Sequence, residues 1–262
     1  MKTIEDFLKS RNAGIPITMV TCYDYWSAVI INETDVDALL VGDSAAMVMH
    51  GYDTTVNAEM DMMMYHIAAV RRGIKDKLII ADFPFLAHRK GINYAMECVD
   101  KFVKAGAHAV KIEGAGTTTN IIKHIVDSGV PVMGHIGLTP QSIHKYGGYK
   151  IQGKNLDAKE KLIEDAKSLE QAGSFSIVLE LLQAEVAKKI TEQISIPTIG
   201  IGAGKYTSGQ ILVLQDLLGL TKAFNPKFLR KYLDGFNLIK AAINKYNNDV
   251  KNRNFPNSEE SY

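Results

Sequence analysis

The chain has 262 residues, 46% hydrophobic and 23% charged, with a formal net charge of +1. That length suffices for one large core, and a near-neutral chain with dispersed basic residues lacks an electrostatic footprint for nucleic acid. Cys22 and Cys98 alone make no disulfide framework, and no apolar run approaches the ~18 residues of a membrane span. A reduced, cytoplasmic protein is expected, with small-molecule rather than nucleic-acid or membrane partners.

Thr3 to Leu8 reads as a short capped helix, broken by Ala13-Gly14-Ile15-Pro16. The first strand, 17–21, precedes a helix over 24–34 and a second strand ending at Asp43. Met60 to Val70 is helical with Met60, Met64 and Ile67 on one face, before a third strand, 78–82. A helix over 93–104 gathers Ala95, Val99 and Phe102, and a fourth strand, 109–113, follows. A helix over 120–127 leads to a fifth strand, 130–135, and then to a glycine-rich polar excursion from Tyr146 to Asn155. The remaining pattern is helix 158–171, strand 175–180, helix 185–192, strand 196–202, a short strand at 210–213 and helices near 226–246.

Apolar strands without period-two alternation, separated by helices, indicate a parallel sheet covered by helices. Eight such units favour an α/β fold of the (βα)8 barrel type, with a short N-terminal helix and additional C-terminal helices, over an open doubly wound sheet. No Gly-x-Gly-x-x-Gly turn follows the first strand, which weighs against dinucleotide binding. Residues 1–262 are expected to form one catalytic barrel domain, with 247–262 a loosely ordered tail.

In such a barrel the chemistry lies at the C-terminal ends of the strands. Asp43, Asp82 and Glu113 end three consecutive strands, and a carboxylate closing a buried strand needs a compensating cation. Three hard oxygen donors without clustered Cys or His fit Mg²⁺. Lys111, two residues before Glu113, faces the same way and can hold a substrate carboxylate or enolate oxygen, pair with a buried acid, or form a Schiff base. His135 and Ser44 suit hydrogen bonding to a small polar ligand, and Glu180, emerging from an apolar strand, is a candidate base. Gly200 to Gly204 can form an anion nest, and Gly147-Gly148 lies in a segment long enough to cover the site.

Several segments, in order, resemble the ketopantoate hydroxymethyltransferase family: Thr21-Cys22-Tyr23-Asp24-Tyr25, Val41-Gly42-Asp43-Ser44, Ala81-Asp82-Phe83-Pro84-Phe85, Val110-Lys111-Ile112-Glu113-Gly114, Gly134-His135-Ile136-Gly137-Leu138-Thr139-Pro140-Gln141 and Gly147-Gly148-Tyr149-Lys150-Ile151-Gln152-Gly153. The resemblance implies a (βα)8 barrel assembled as a homodecamer, a pentamer of dimers. It implies Mg²⁺ at Asp43, Asp82 and Glu113. Asp43, Ser44, Asp82, Lys111 and His135 would contact the keto acid, with Glu180 as the base. It also implies transfer of a one-carbon unit from 5,10-methylenetetrahydrofolate to 3-methyl-2-oxobutanoate in pantothenate biosynthesis, through a Mg-stabilised enolate. Departures from the family pattern fall at His50-Gly51-Tyr52, Val56-Asn57-Ala58 and Leu86-Ala87-His88. The alternative is a Mg-dependent carbon-carbon lyase or mutase acting on a 2-oxo acid.

Overall fold

The computed structural model describes residues 3–262. Eight parallel strands close into a barrel in chain order: β1 Ile17–Thr21, β2 Ala38–Val41, β3 Leu78–Asp82, β4 Ala109–Glu113, β5 Val132–Gly137, β6 Ser176–Glu180, β7 Thr198–Ile201 and β8 Gly209–Leu212. β2, β3, β4 and β5 are buried at every position, because the barrel interior takes one face and the helical layer the other. Hence these strands read as continuous apolar runs.

The inward face is set by period-two parity. Met19, Leu40, Ile80, Ala109, Met133, Val178 and Ile199 fill the lower barrel as one cluster, closed by Phe7 of the N-terminal helix Ile4–Asn12. That helix is held by a capping box in which Thr3 and Asp6 satisfy each other's backbone N–H. Continuing the same parity upward turns Asp82, Lys111, Glu113, His135 and Glu180 into the barrel mouth. The register agrees: Asp82 pairs with Lys111, Glu113 with His135, and Gly137 with Glu180.

The surrounding helices follow the expected order, with one rotated face. Helix Met60–Gly73 buries Met63, Ile67 and Val70, whereas Met60 and Met64 lie half-buried on its flank. The correct stripe is the i, i+4, i+7 set beginning at Met63, which the run of four methionines obscured. Helix Ile92–Ala105 buries Ala95, Val99 and Phe102, as the sequence spacing predicts, and Cys98 with them. Both cysteines are free and buried.

Residues 214–262 form a separate compact unit. It contains helices Leu214–Leu217 and Gly235–Lys251 and a final turn at Ser258–Glu260. No helix occupies 226–234, and the long helix runs four residues past Asn247. Among the described residues, no helix is long and apolar enough to cross a membrane.

Candidate active site

The upper barrel brings the sequence-predicted acids, base and cation to neighbouring strand ends. Asp82 and Glu113 are the last residues of β3 and β4, while Asp43 and Ser44 lie just beyond β2, ahead of the short helix Ala45–Val48. Asp43, Asp82, Lys111, Glu113 and His135 are all buried. The Asp43 backbone N–H donates to Asp82 Oδ2 at 3.4 Å. Lys111 Nζ lies 2.8 Å from Asp82 Oδ2 and 3.9 Å from Glu113 Oε1.

Burial shapes the protonation of this cluster. It pushes the Asp43 carboxyl up, with the Glu113 charge adding to the rise, and pushes Asp82 well above the ordinary carboxylate range against the opposing pull of Lys111. Glu113 is raised to about 7, again by burial. Burial alone would pull Lys111 down, but Asp82, Glu113 and Asp43 outweigh it and hold the ammonium above its usual value.

A protonated Lys111 fixes the tautomer of His135. Its Nζ is 3.1 Å from His135 Nδ1, and an ammonium only donates, so Nδ1 accepts and the ring proton belongs on Nε2. Nε2 faces Glu180 Oε2 at 3.3 Å but is not aligned for a hydrogen bond. Glu180 ends β6 at the mouth of the barrel, its side chain 16% exposed. Ser44 Oγ is hydrogen-bonded to the Tyr23 hydroxyl at 2.8 Å.

Asp82 Oδ1 and Glu113 Oε1 are buried without a hydrogen-bond partner. Orphaned carboxylate oxygens of this kind, with Asp43 adjoining, match the hard oxygen donors that Mg²⁺ takes. They do not form a finished cage: among the described residues, no group of three or more His, Cys, Asp or Glu side chains is arranged to hold a metal as it stands.

A model of the ketopantoate hydroxymethyltransferase family matches residues 1–258. The chain belongs to the ketopantoate hydroxymethyltransferase family. It is 52% identical over 262 residues to the 3-methyl-2-oxobutanoate hydroxymethyltransferase of Bdellovibrio bacteriovorus, covering 100% of both chains. The corresponding protein of Francisella tularensis subsp. tularensis is 51% identical over 262 residues, covering 100% of this chain and 99% of that one. As a member of this ketopantoate hydroxymethyltransferase family, the chain is an enzyme of hydroxymethyl transfer. Among solved structures, its fold is shared by a phosphonopyruvate hydrolase complexed with oxalate and Mg²⁺ (TM-score 0.64, 10% identity, 99% of this chain and 93% of that one). It is also shared by a 2,3-dimethylmalate lyase (TM-score 0.61, 15% identity, 100% and 92% covered).

Within this hydroxymethyltransferase barrel, three side chains at the site had no role assigned from sequence. Tyr23 partners Ser44, and Gln141 reaches Asp43. Tyr149, in the glycine-rich excursion, places its hydroxyl 3.6 Å from Met47 Sδ, and its pKa is raised by burial and by the charges of Glu180, Asp43 and Glu113. All three lie in segments carrying the family resemblance, but no charge pattern marked them. The excursion is anchored at its far end, where the Gln152 N–H donates to the Leu181 carbonyl at 2.8 Å. Glycines after β7 answer local packing: a Cβ at Gly204 would stand 2.5 Å from the Ala184 Cβ.

Proposed function

We propose that the chain transfers a hydroxymethyl unit from 5,10-methylenetetrahydrofolate to 3-methyl-2-oxobutanoate, giving 2-dehydropantoate and tetrahydrofolate for pantothenate and hence coenzyme A synthesis. The observation that carries this reading is the line of side chains from Asp82 through Lys111 and His135 to Glu180, with contacts of 2.8, 3.1 and 3.3 Å. It sets a fixed cation beside buried acids at one end and a partly open carboxylate at the other.

The keto acid's carboxylate and oxo group would sit at the acid end, held by Lys111 and by Ser44. Ser44 is oriented through its bond to Tyr23. Glu180 then removes the proton from C3. Asp43, Asp82 and Glu113 are the residues that would hold Mg²⁺, which when bound supplies Lewis-acid stabilisation for charge developing on the keto oxygen. His135 stands with Nε2 3.3 Å from Glu180 Oε2, flanking that carboxylate without a hydrogen bond to it. The folate's methylene bridge first opens to its iminium, breaking one C–N bond. The electron pair left at C3 forms the new bond to that carbon, water replaces the second nitrogen on it and supplies the hydroxyl oxygen, and the two freed nitrogens take up the proton from C3 and one from the water. The folate carries the one-carbon chemistry, and the barrel supplies position and charge. A homodecamer, arranged as a pentamer of dimers, belongs to the same reading.

The decisive assay combines enzyme, Mg²⁺, 3-methyl-2-oxobutanoate and methylenetetrahydrofolate. Equal amounts of tetrahydrofolate and 2-dehydropantoate are expected. Consumption of the keto acid without release of tetrahydrofolate would reject the transferase reading in favour of a lyase or mutase.

A further inference from the structure

Gln141 lies beyond β5 in the 3-10 turn Pro140–Ser142, directly after the strand that supplies His135. It is neither charged nor acidic, yet it is 6% exposed and touches three neighbouring strand ends. Its Nε2 donates to Asp43 Oδ2 at 2.9 Å and to the Phe83 carbonyl at 2.7 Å, while its backbone N–H donates to Glu113 Oε2 at 3.2 Å. The orientation of the amide follows from chemistry, because a carbonyl oxygen accepts only and the NH₂ end must face Phe83.

We infer that Gln141 is a positioning residue that fixes the carboxylate planes of Asp43 and Glu113 for a divalent cation. The inference rests on the proposed cation site. Three buried carboxylates share a single ammonium, Lys111, and repel one another. A second lysine would offset that repulsion but compete with a metal for the same oxygens. A neutral amide ties down one oxygen of Asp43 without neutralising it, and the backbone N–H does the same for Glu113. The Phe83 bond anchors the amide to the chain just beyond Asp82, so the ends of β2, β3 and β4 are registered from the segment after β5. Partners of this kind set the orientation of metal-binding carboxylates and typically carry 10–100-fold in metal affinity.

The test is a titration of the full chain with Mn²⁺, followed by electron paramagnetic resonance, on wild type, Gln141→Met and Gln141→Asn. Methionine keeps the length but donates nothing, and asparagine keeps the amide one methylene short. Each variant retains the backbone N–H to Glu113. Expected is about 10–100-fold weaker Mn²⁺ binding in Gln141→Met, a smaller loss in Gln141→Asn, and an altered spectrum at saturation, which a loss of packing alone would not produce. If Gln141→Met does not fold, Gln141→Asn decides. Wild-type affinity and spectrum in a folded variant would overturn the role of Gln141 while leaving the cation site standing. Absence of Mn²⁺ binding in the wild type would overturn the cation site and this role together.

Discussion

Glu180 and His88 show how position in the fold sets what a side chain can do. Glu180 keeps 16% of its side chain exposed at the barrel mouth, beside the His135 Nε2 atom, and the proposed reaction makes it the base. Glu180→Gln keeps the shape and removes the proton acceptor. Exchange of the C3 proton of 3-methyl-2-oxobutanoate with deuterated water is expected to fall by at least about 100-fold, the usual scale of general base catalysis. Exchange at the wild-type rate would remove Glu180 from that role. His88 is the opposite case: it is buried, its Nδ1 has no partner, and burial together with the Arg89 charge depresses its pKa from 6.5 to about 4. The unfolded chain therefore takes up this proton at higher pH than the folded one. Stability from neutral His88 is present above about pH 6.5 and is lost as pH falls toward 4. Between pH 7 and 5 the loss is about 2 kcal/mol. His88→Phe should flatten that part of the curve in urea unfolding, and an unchanged slope would show that other groups dominate.

Among the elements, β5 and β6 carry the tightest geometric constraint on the site. Gly137 pairs with Glu180, has φ of +100°, and would bring a Cβ within 2.2 Å of the Glu180 carbonyl oxygen. Only glycine allows both that backbone conformation and that approach. Gly137→Ala is expected to cost on the order of 3 kcal/mol and to lower kcat by displacing Glu180. Gly173 makes a fair comparison: its φ is +92° and an added Cβ would meet Val126 at 2.9 Å, away from the strand ends that carry the acids. Gly173→Ala should lower stability in urea unfolding and leave kcat of the folded enzyme near wild type. Equal effects of both substitutions on kcat would deny Gly137 a special tie to the base.

At the scale of the molecule, the 214–262 unit presents Leu238, Ile239, Ile243 and Tyr246 on helix Gly235–Lys251, each more than half exposed. An apolar face of this extent is characteristic of an interaction surface, and closed homo-oligomers are the common way to cover one. If the proposed decamer forms, light scattering should give a mass near ten chains of 28.9 kDa each. Ile243→Lys should then shift the distribution to smaller species without changing the far-ultraviolet spectrum of the barrel. A wild-type chain that remains monomeric at micromolar concentration would refute the assembly.

The eight-stranded parallel barrel was legible in the chain alone, because doubly buried strands read as continuous apolar runs and the helices between them as amphipathic ones. The sequence also marked Asp43, Asp82, Glu113 and Glu180, since a carboxylate closing an apolar strand is costly enough to stand out, and with them Lys111, two residues before Glu113, and His135, a polar residue near the end of the fifth strand. Gln141 and Tyr23 escaped notice because uncharged polar residues in turns are ordinary until their partners are known. Those partners, Asp43 and Ser44, are distant in sequence and meet only when the barrel closes. Closure also decided the His135 tautomer, which depends on one ammonium brought alongside by strand register. Charge and hydrophobicity are local properties of a chain, whereas the direction of a hydrogen bond belongs to the pair that folding creates.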